Sequence, residues 1–263
     1  MDLGLRGKVA VVAGSSQGLG RAVAMALAEE GAKVVINSRS ADKLEVVRSN
    51  IVDATGAKVE AVACDLTDPE GPTKLIGAAE AAFGQVDILV TNTGGPPTGM
   101  FEDHSAEVWR DALAQNFESV INLVRAALPG MKERRWGRIV NVTSISVKQP
   151  VAGLILSNAI RAGVTGFAKT VSNEVAPLNV TVNNLLPGYT RTERLVDLAA
   201  AISARDGASP DAVYEGWTAE IPMGRLGEPP EFGAMAAFLC SEQASYITGQ
   251  SIAVDGGWIK GLI

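Results

Sequence analysis

Hydrophobic and polar positions in this chain come in blocks. Short runs dense in valine, isoleucine and leucine alternate with longer stretches in which apolar residues recur every three or four positions. The short runs are V-A-V-V-A leading into Gly14, K-V-V-I-N at 33–37, K-V-E-A-V-A at 58–63, D-I-L-V-T at 87–91, R-I-V-N-V at 138–142, V-T-V-N-N-L at 180–185 and S-I-A-V-D at 251–255. Runs that are apolar throughout belong to strands buried on both faces, the usual state of a parallel sheet. Helical stretches are expected at 21–31, 42–54, about 69–83, 105–132 and 156–176. This alternation predicts an α/β chain, one domain over residues 1–263: a Rossmann-type, doubly wound parallel sheet of about seven strands in a three-layer α/β/α sandwich. No linker, repeat or low-complexity tract interrupts it.

Where the apolar runs stop, the residues become small or polar. The strand ends carry residues 14–20, Ser38 and Arg39, Cys64 and Asp65, residues 92–95, Thr143 and Ser144, and Pro187 and Gly188. Six such ends on one sheet edge describe a long cleft. The first of them, K-V-A-V-V-A-G-S-S-Q-G-L-G at 8–20, is the pattern around which the chain is organised. A strand turns through Gly14, Ser16, Gln17, Gly18, Leu19 and Gly20 into an alanine-rich helix. Backbone N–H groups and the positive end of the helix dipole then point at one spot, an anion site suited to a nucleotide phosphate. The spacing is G-x-x-x-G-x-G, distinct from the commoner dinucleotide fingerprint.

Composition narrows the picture. The 263 residues are 47% hydrophobic and 20% charged, so a folded globular chain is expected. A net charge of −6 with no basic run argues against a general nucleic-acid or anionic-membrane binder. No apolar run approaches a membrane span, and the opening M-D-L-G-L-R-G-K lacks a signal core. Cys64 and Cys240, with the one histidine, His104, suit neither a disulfide scaffold nor a metal site. A reducing, cytoplasmic location is the expectation.

The glycine turn, N-T-G-G at 92–95, Pro187–Gly188, and the tail G-R-L-G-E-P-P-E-F with S-Y-I-T-G-Q-S-I-A-V-D-G-G together resemble the short-chain dehydrogenase/reductase family over essentially the whole length. The tail looks especially like the branch of 3-oxoacyl-carrier-protein reductases. The resemblance implies that the glycine turn holds a pyrophosphate and that Asp65, followed by Leu66, meets the adenine. It also implies that Asn92 and Gly94 support the cofactor, and that Pro187, Gly188 and Thr192 bracket the nicotinamide amide. Cofactor choice has its own physical argument. An NAD site places an acid after the second strand to accept from the ribose hydroxyls, whereas Ser38 stands there with Arg39 beside it. An arginine and hydroxyls suit the additional phosphate of NADP(H), which is favoured over NAD(H).

The resemblance further implies hydride transfer at a carbonyl or alcohol carbon, served by a serine, an asparagine, a tyrosine and a lysine four residues after it. The serine matches Ser144 and the asparagine Asn116. The tyrosine and lysine positions, counted from Ser144 and from A-G-V-T-G, are Ser157 and Arg161, and no Y-x-x-x-K occurs in the chain. A serine hydroxyl is short and far harder to ionise than a phenol, and an arginine keeps the charge but passes no proton. Three replacements offer themselves: a water held by Ser157 and Arg161, a phenol from Tyr189 or Tyr214, or Lys148.

Residues 191–223, two helical pieces before the G-R-L-G-E-P turn, match the family's substrate lid, with Tyr189, Tyr214 and Trp217 as apolar contacts. Rival readings are a serine hydrolase, from G-S-S-Q-G with Ser16 as nucleophile, and an NADP(H)-binding sensor or scaffold without redox chemistry. The expected partners are a small carbonyl or alcohol substrate and further copies of the chain, since the family commonly forms dimers or tetramers.

Overall fold

In the computed structural model, which describes residues 1–262, seven parallel strands form one sheet in the order β3-β2-β1-β4-β5-β6-β7. They are β1 (Val9–Val12), β2 (Lys33–Ser38), β3 (Val59–Ala63), β4 (Ile88–Thr91), β5 (Gly137–Val142), β6 (Val180–Pro187) and β7 (Ser251–Val254). The order reverses between β1 and β4, and a crevice opens there outside the carboxyl ends of the strands.

The central strands β1, β2 and β4 read as nearly continuous apolar runs because helices cover both faces. Ala10, Val12, Val34, Ile36, Ile88, Val90 and Val140 pack with α1 (Gly18–Glu29), α2 (Ala41–Thr55) and α9 (Pro229–Leu239). Their sequence neighbours Val11, Val35, Leu89 and Ile139 pack with α3 (Gly71–Phe83), α5 (Ser119–Arg134) and α6 (Ile155–Val175).

Helix α9 is an element the sequence pattern did not predict. It is apolar nearly all round, so it shows no amphipathic stripe, and G-R-L-G-E-P-P reads as a turn. Pro229 and Pro230 sit in its first turn, where a missing N–H is harmless, and Glu228 and Glu231 form a reciprocal capping pair. Gly233 lets it lie directly on α1: a Cβ there would stand 2.7 Å from the Ala22 carbonyl oxygen.

The helix expected over 105–132 is α4 (Ala106–Leu113) and α5 joined by a π-helical turn, Ala114–Glu118. Residues 191–223 form two full helices, α7 (Glu193–Asp206) and α8 (Pro210–Glu220), reversing at Gly207 with φ +70. Leu195, Ala199, Val213, Trp217 and Ile221 from this pair pack on Ile145, Leu186 and Trp258, which seats the pair over the carboxyl ends of β5 and β6.

Candidate active site

The turn after β1 is shaped for close approach. Gly14 and Gly18 adopt φ +56 and +55, which side chains resist. A Cβ on Gly20 would lie 2.3 Å from the Gly14 carbonyl oxygen, and the Asn92 amide donates to that same oxygen at 2.9 Å. Helix α1 begins behind this turn with no side-chain cap from Gln17 and no acid in its first turn. Its leading N–H groups are therefore left for a ligand, and the residues present fit a dinucleotide phosphate.

A trough of two adjoining cavities runs from this point along the strand ends. One, of about 690 Å³, is lined by Ser16, Ser38, Arg39, Asp65 and Leu66, and also by Ser40 and Lys43. The other, of about 460 Å³, is lined by Gly18, Leu19, Ser144, Ser157, Arg161, Pro187, Gly188 and Thr192. Gly14, Gln17, Asn92 and Gly94 face both. Gly20 faces neither and acts through its contact with Gly14.

At the first cavity, the Ser38 hydroxyl bonds the Ser40 amide at 3.1 Å, where a carboxylate would stand in an NAD site. Lys43 went unnoticed in the sequence because a lysine on an exposed first helical turn reads as solvated; Ser40 accepts from its amide and sets it at the rim. The Asp65 carboxyl is held below its usual range by the Thr67 amide and hydroxyl, with the Arg39 charge adding.

At the second cavity, the backbone past β5 brings three serines together. Ser144 Oγ accepts from the Ser146 amide at 3.1 Å, and Ser146 Oγ lies 3.5 Å from Ser157 Oγ. Arg161 is buried behind them, donating from Nη1 to the Val142 carbonyl at 2.8 Å and from Nη2 to Asn116 Oδ1 at 3.4 Å. Asn116 sits in the π-helical turn, its amide donating to the Ala112 carbonyl at 3.2 Å, and also accepts from Thr93 Oγ1 at 3.1 Å. Burial, with the Arg194 charge nearby, pushes the Arg161 guanidinium down to about 10, so it stays cationic at neutral pH. Thr143 Oγ1, on the same cavity wall, is buried without a protein partner, a second sign that a polar ligand belongs here.

Of the replacements weighed for the missing phenol, Tyr189 lines this cavity but is set as wall. It stacks on Trp217 at 4.9 Å and meets Trp258 edge-on at 5.9 Å, and burial with the Glu220 charge pushes its phenol up to about 12. Trp217 is buried behind it. Tyr214 lines a separate hollow of about 340 Å³ with Gly18, Arg21 and Arg191. Lys148 is exposed and lines neither cavity of the trough. His104 packs against Gly99 away from the trough, so it is not brought to Ser16 as a hydrolase would require. Ser146 and Arg194 were not singled out in the sequence; their signals were a third small hydroxyl in N-V-T-S-I-S and a cation two residues beyond Thr192.

A doubly wound sheet whose uncapped glycine turn opens on a two-part trough defines a dinucleotide-binding domain with a polar reaction site beside it. A family profile described as Enoyl-(Acyl carrier protein) reductase matches residues 13–259. The chain is 38% identical over 255 residues to the 3-oxoacyl-[acyl-carrier-protein] reductase FabG of Vibrio cholerae, covering 97% of this chain and 98% of that one. It is 34% identical over 256 residues to the NADPH-dependent reductase BacG of Bacillus subtilis, covering 97% and 99%. The crystal structure of L-sorbose reductase from Gluconobacter frateurii, complexed with NADPH and L-sorbose, superposes with a TM-score of 0.94 at 33% identity over 100% of both chains. The chain belongs to the short-chain dehydrogenase/reductase family of NAD(P)-dependent oxidoreductases. Among the described residues, no helix is long and apolar enough to cross a membrane, and no cluster of His, Cys, Asp or Glu could hold a metal ion.

Proposed function

We propose that this protein interconverts a small carbonyl compound and its alcohol with NADP(H), by an acid/base arrangement that differs from its family's. The observation that carries the reading is the continuity of the trough. It joins Ser38, Arg39 and Lys43 at one end to Ser144, Ser157 and Arg161 at the other. Two of the similar proteins carry NADPH in their descriptions, which supports the cofactor choice.

Bound nicotinamide supplies or accepts the hydride. Arg39 and Lys43 hold the ribose phosphate, the α1 N-terminus the diphosphate, and Pro187, Gly188 and Thr192 the amide. Ser144 Oγ donates to the substrate oxygen. Arg161 sets a fixed positive charge beside the oxygen as negative charge develops on it, an electrostatic role that needs no proton transfer. Ser157, too short to reach that oxygen, orients with Arg161 a water that delivers the proton and takes one back from the solvent of the open trough. The α7–α8 pair acts as the lid. Free Cys64 and Cys240 support a reducing, cytoplasmic setting. Ala159, Ala162, Gly163 and Gly166 on the exposed face of α6 support close packing with another copy, as in a homodimer or homotetramer.

NADPH consumption over a panel of ketones, diketones and acyl thioesters tests the reading. Turnover of at least one carbonyl class is expected, and Ser144→Ala lowers it by about 100-fold. Tight NADPH binding with no turnover on any member overturns it in favour of a cofactor sensor.

A further inference from the structure

Besides Arg39, which lines both cavities, two guanidinium groups face the reaction half of the trough, and no carboxylate pairs with either. Arg161, at 8% exposure, meets the neutral acceptors Val142 O and Asn116 Oδ1. Arg194, from the first turn of α7, lies at the rim against Gly95, its Nη2 donating to the Pro96 carbonyl at 2.7 Å. Among the described residues, no ion pair within 4.0 Å includes either group. A buried guanidinium without a counter-ion is unfavourable, and a second cation nearby makes it more so. The Arg194 charge and burial both press on Arg161 in this way.

The acids of the same wall do not resolve the imbalance. Glu193 and Asp197 line the cavity from exposed positions on α7. Glu193 Oε2 is directed at the glycine turn, 3.5 Å from where a Gly18 Cβ would be. Asp197 acts on Arg194 through its field without forming an ion pair. Beside them the wall carries hydroxyls at Thr143, Ser144 and Ser157 and apolar side chains at Ile145, Leu154 and Leu198.

We infer that the substrate is a carbonyl compound bearing a carboxylate. Arg194 takes the carboxylate, Arg161 adds its field from below, Ser144 takes the carbonyl oxygen, and Ile145, Leu154 and Leu198 take the hydrocarbon between them. The placing of the carbonyl rests on the reductase reading; the carboxylate contact does not need hydride transfer. An anion at Arg194 has a second source in the diphosphate of the cofactor, and the experiment separates the two.

Hydrocinnamate and hydrocinnamide, inert to hydride transfer, are titrated calorimetrically into the protein saturated with NADP+. The carboxylate is expected to bind about tenfold more tightly than the amide. Arg194→Gln should bring the pair within about twofold, with Arg194→Lys retaining part of the preference and NADP+ affinity unchanged in both. Equal affinities in the native protein, or a preference that survives Arg194→Gln, overturn the inference. So does a loss of NADP+ affinity in Arg194→Gln, which assigns the guanidinium to the diphosphate. Selective carboxylate binding by a protein that reduces nothing in the panel keeps the carboxylate contact at Arg194 and removes the reductase reading.

Discussion

Ser157 Oγ and Ser146 Oγ lie 3.5 Å apart, both buried, one at the start of α6 and the other just past β5. The amide of Ser146 also donates to Ser144 Oγ, so one residue orients both hydroxyls that face the reaction. Ser146→Ala keeps the amide bond and removes the partner of Ser157. Turnover should fall by about fivefold with KM and NADPH affinity nearly unchanged, because a single neutral hydrogen bond of about 1 kcal/mol is lost at the group proposed to deliver the proton. A purely structural serine would shift the melting temperature and leave kcat in place.

On the proposed reading, cofactor discrimination rests on charge at the first cavity. Arg39 and Lys43 line it, and Ser38 spends its hydroxyl on Ser40 in place of the ribose-binding acid. Arg39→Ala with Lys43→Ala should weaken NADPH binding by about 100-fold and leave NADH within about threefold, since NADH lacks the phosphate that both cations are proposed to meet. Ser38→Asp should reverse the preference outright by repelling that phosphate. Fluorescence titration of each variant with the two cofactors decides it; equal losses for NADPH and NADH would remove Arg39 and Lys43 from the phosphate site.

Most of the fold was legible because the central strands, buried on both faces, leave nearly continuous apolar runs, and because Gly14 and Gly20 meet other backbone closely while Gly18 takes a positive φ. The limits lie where tertiary contact decides. Helix α9 has no polar face to betray it, since one side rests on α1 through Gly233 and the rest is apolar. The π turn around Asn116, whose side-chain amide reaches the Ala112 carbonyl, shifts the helix register in a way that periodicity does not encode. Tyr214 and Trp217 share a helix, yet Trp217 turns inward to stack on Tyr189 while Tyr214 faces Arg21 and Gly18. Arg194 looks like any cation near a helix start until Gly95 and Pro96 are seen beneath it.

Tyr189 is wall, and its titration gives a test. Burial and the Glu220 charge raise its phenol from 10.0 to about 12. Between those values the folded state holds a proton that the unfolded state has released, so this group's contribution to stability is present below pH 10 and lost as pH rises through the window. Tyr189→Phe should therefore lose less stability than the native protein on alkaline unfolding, by up to about 2 kcal/mol. It should leave kcat and its profile from about pH 6 to 9 unchanged within about threefold. Loss of turnover together with loss of a pH limb would make the phenol the missing acid.

The strongest test restores what the family's pattern would place at positions 157 and 161. Ser157 lines the 460 Å³ cavity, which leaves room for a phenol, and a lysine at 161 can still reach toward the Val142 carbonyl that now holds the guanidinium. A phenol beside a cation releases its proton near neutrality far more readily than a serine hydroxyl, and the ammonium, unlike the guanidinium, can give up a proton and regain it from solvent. Ser157→Tyr alone supplies the acid beside an inert charge; Ser157→Tyr with Arg161→Lys supplies the whole relay. Turnover on the preferred carbonyl should rise by about tenfold or more in the double variant and by less in the single one, with a new pH limb in both. If the double variant binds NADPH as tightly as the native protein and turns over no faster, proton delivery is not the step that Ser157 and Arg161 limit, and the water-mediated arrangement falls with it.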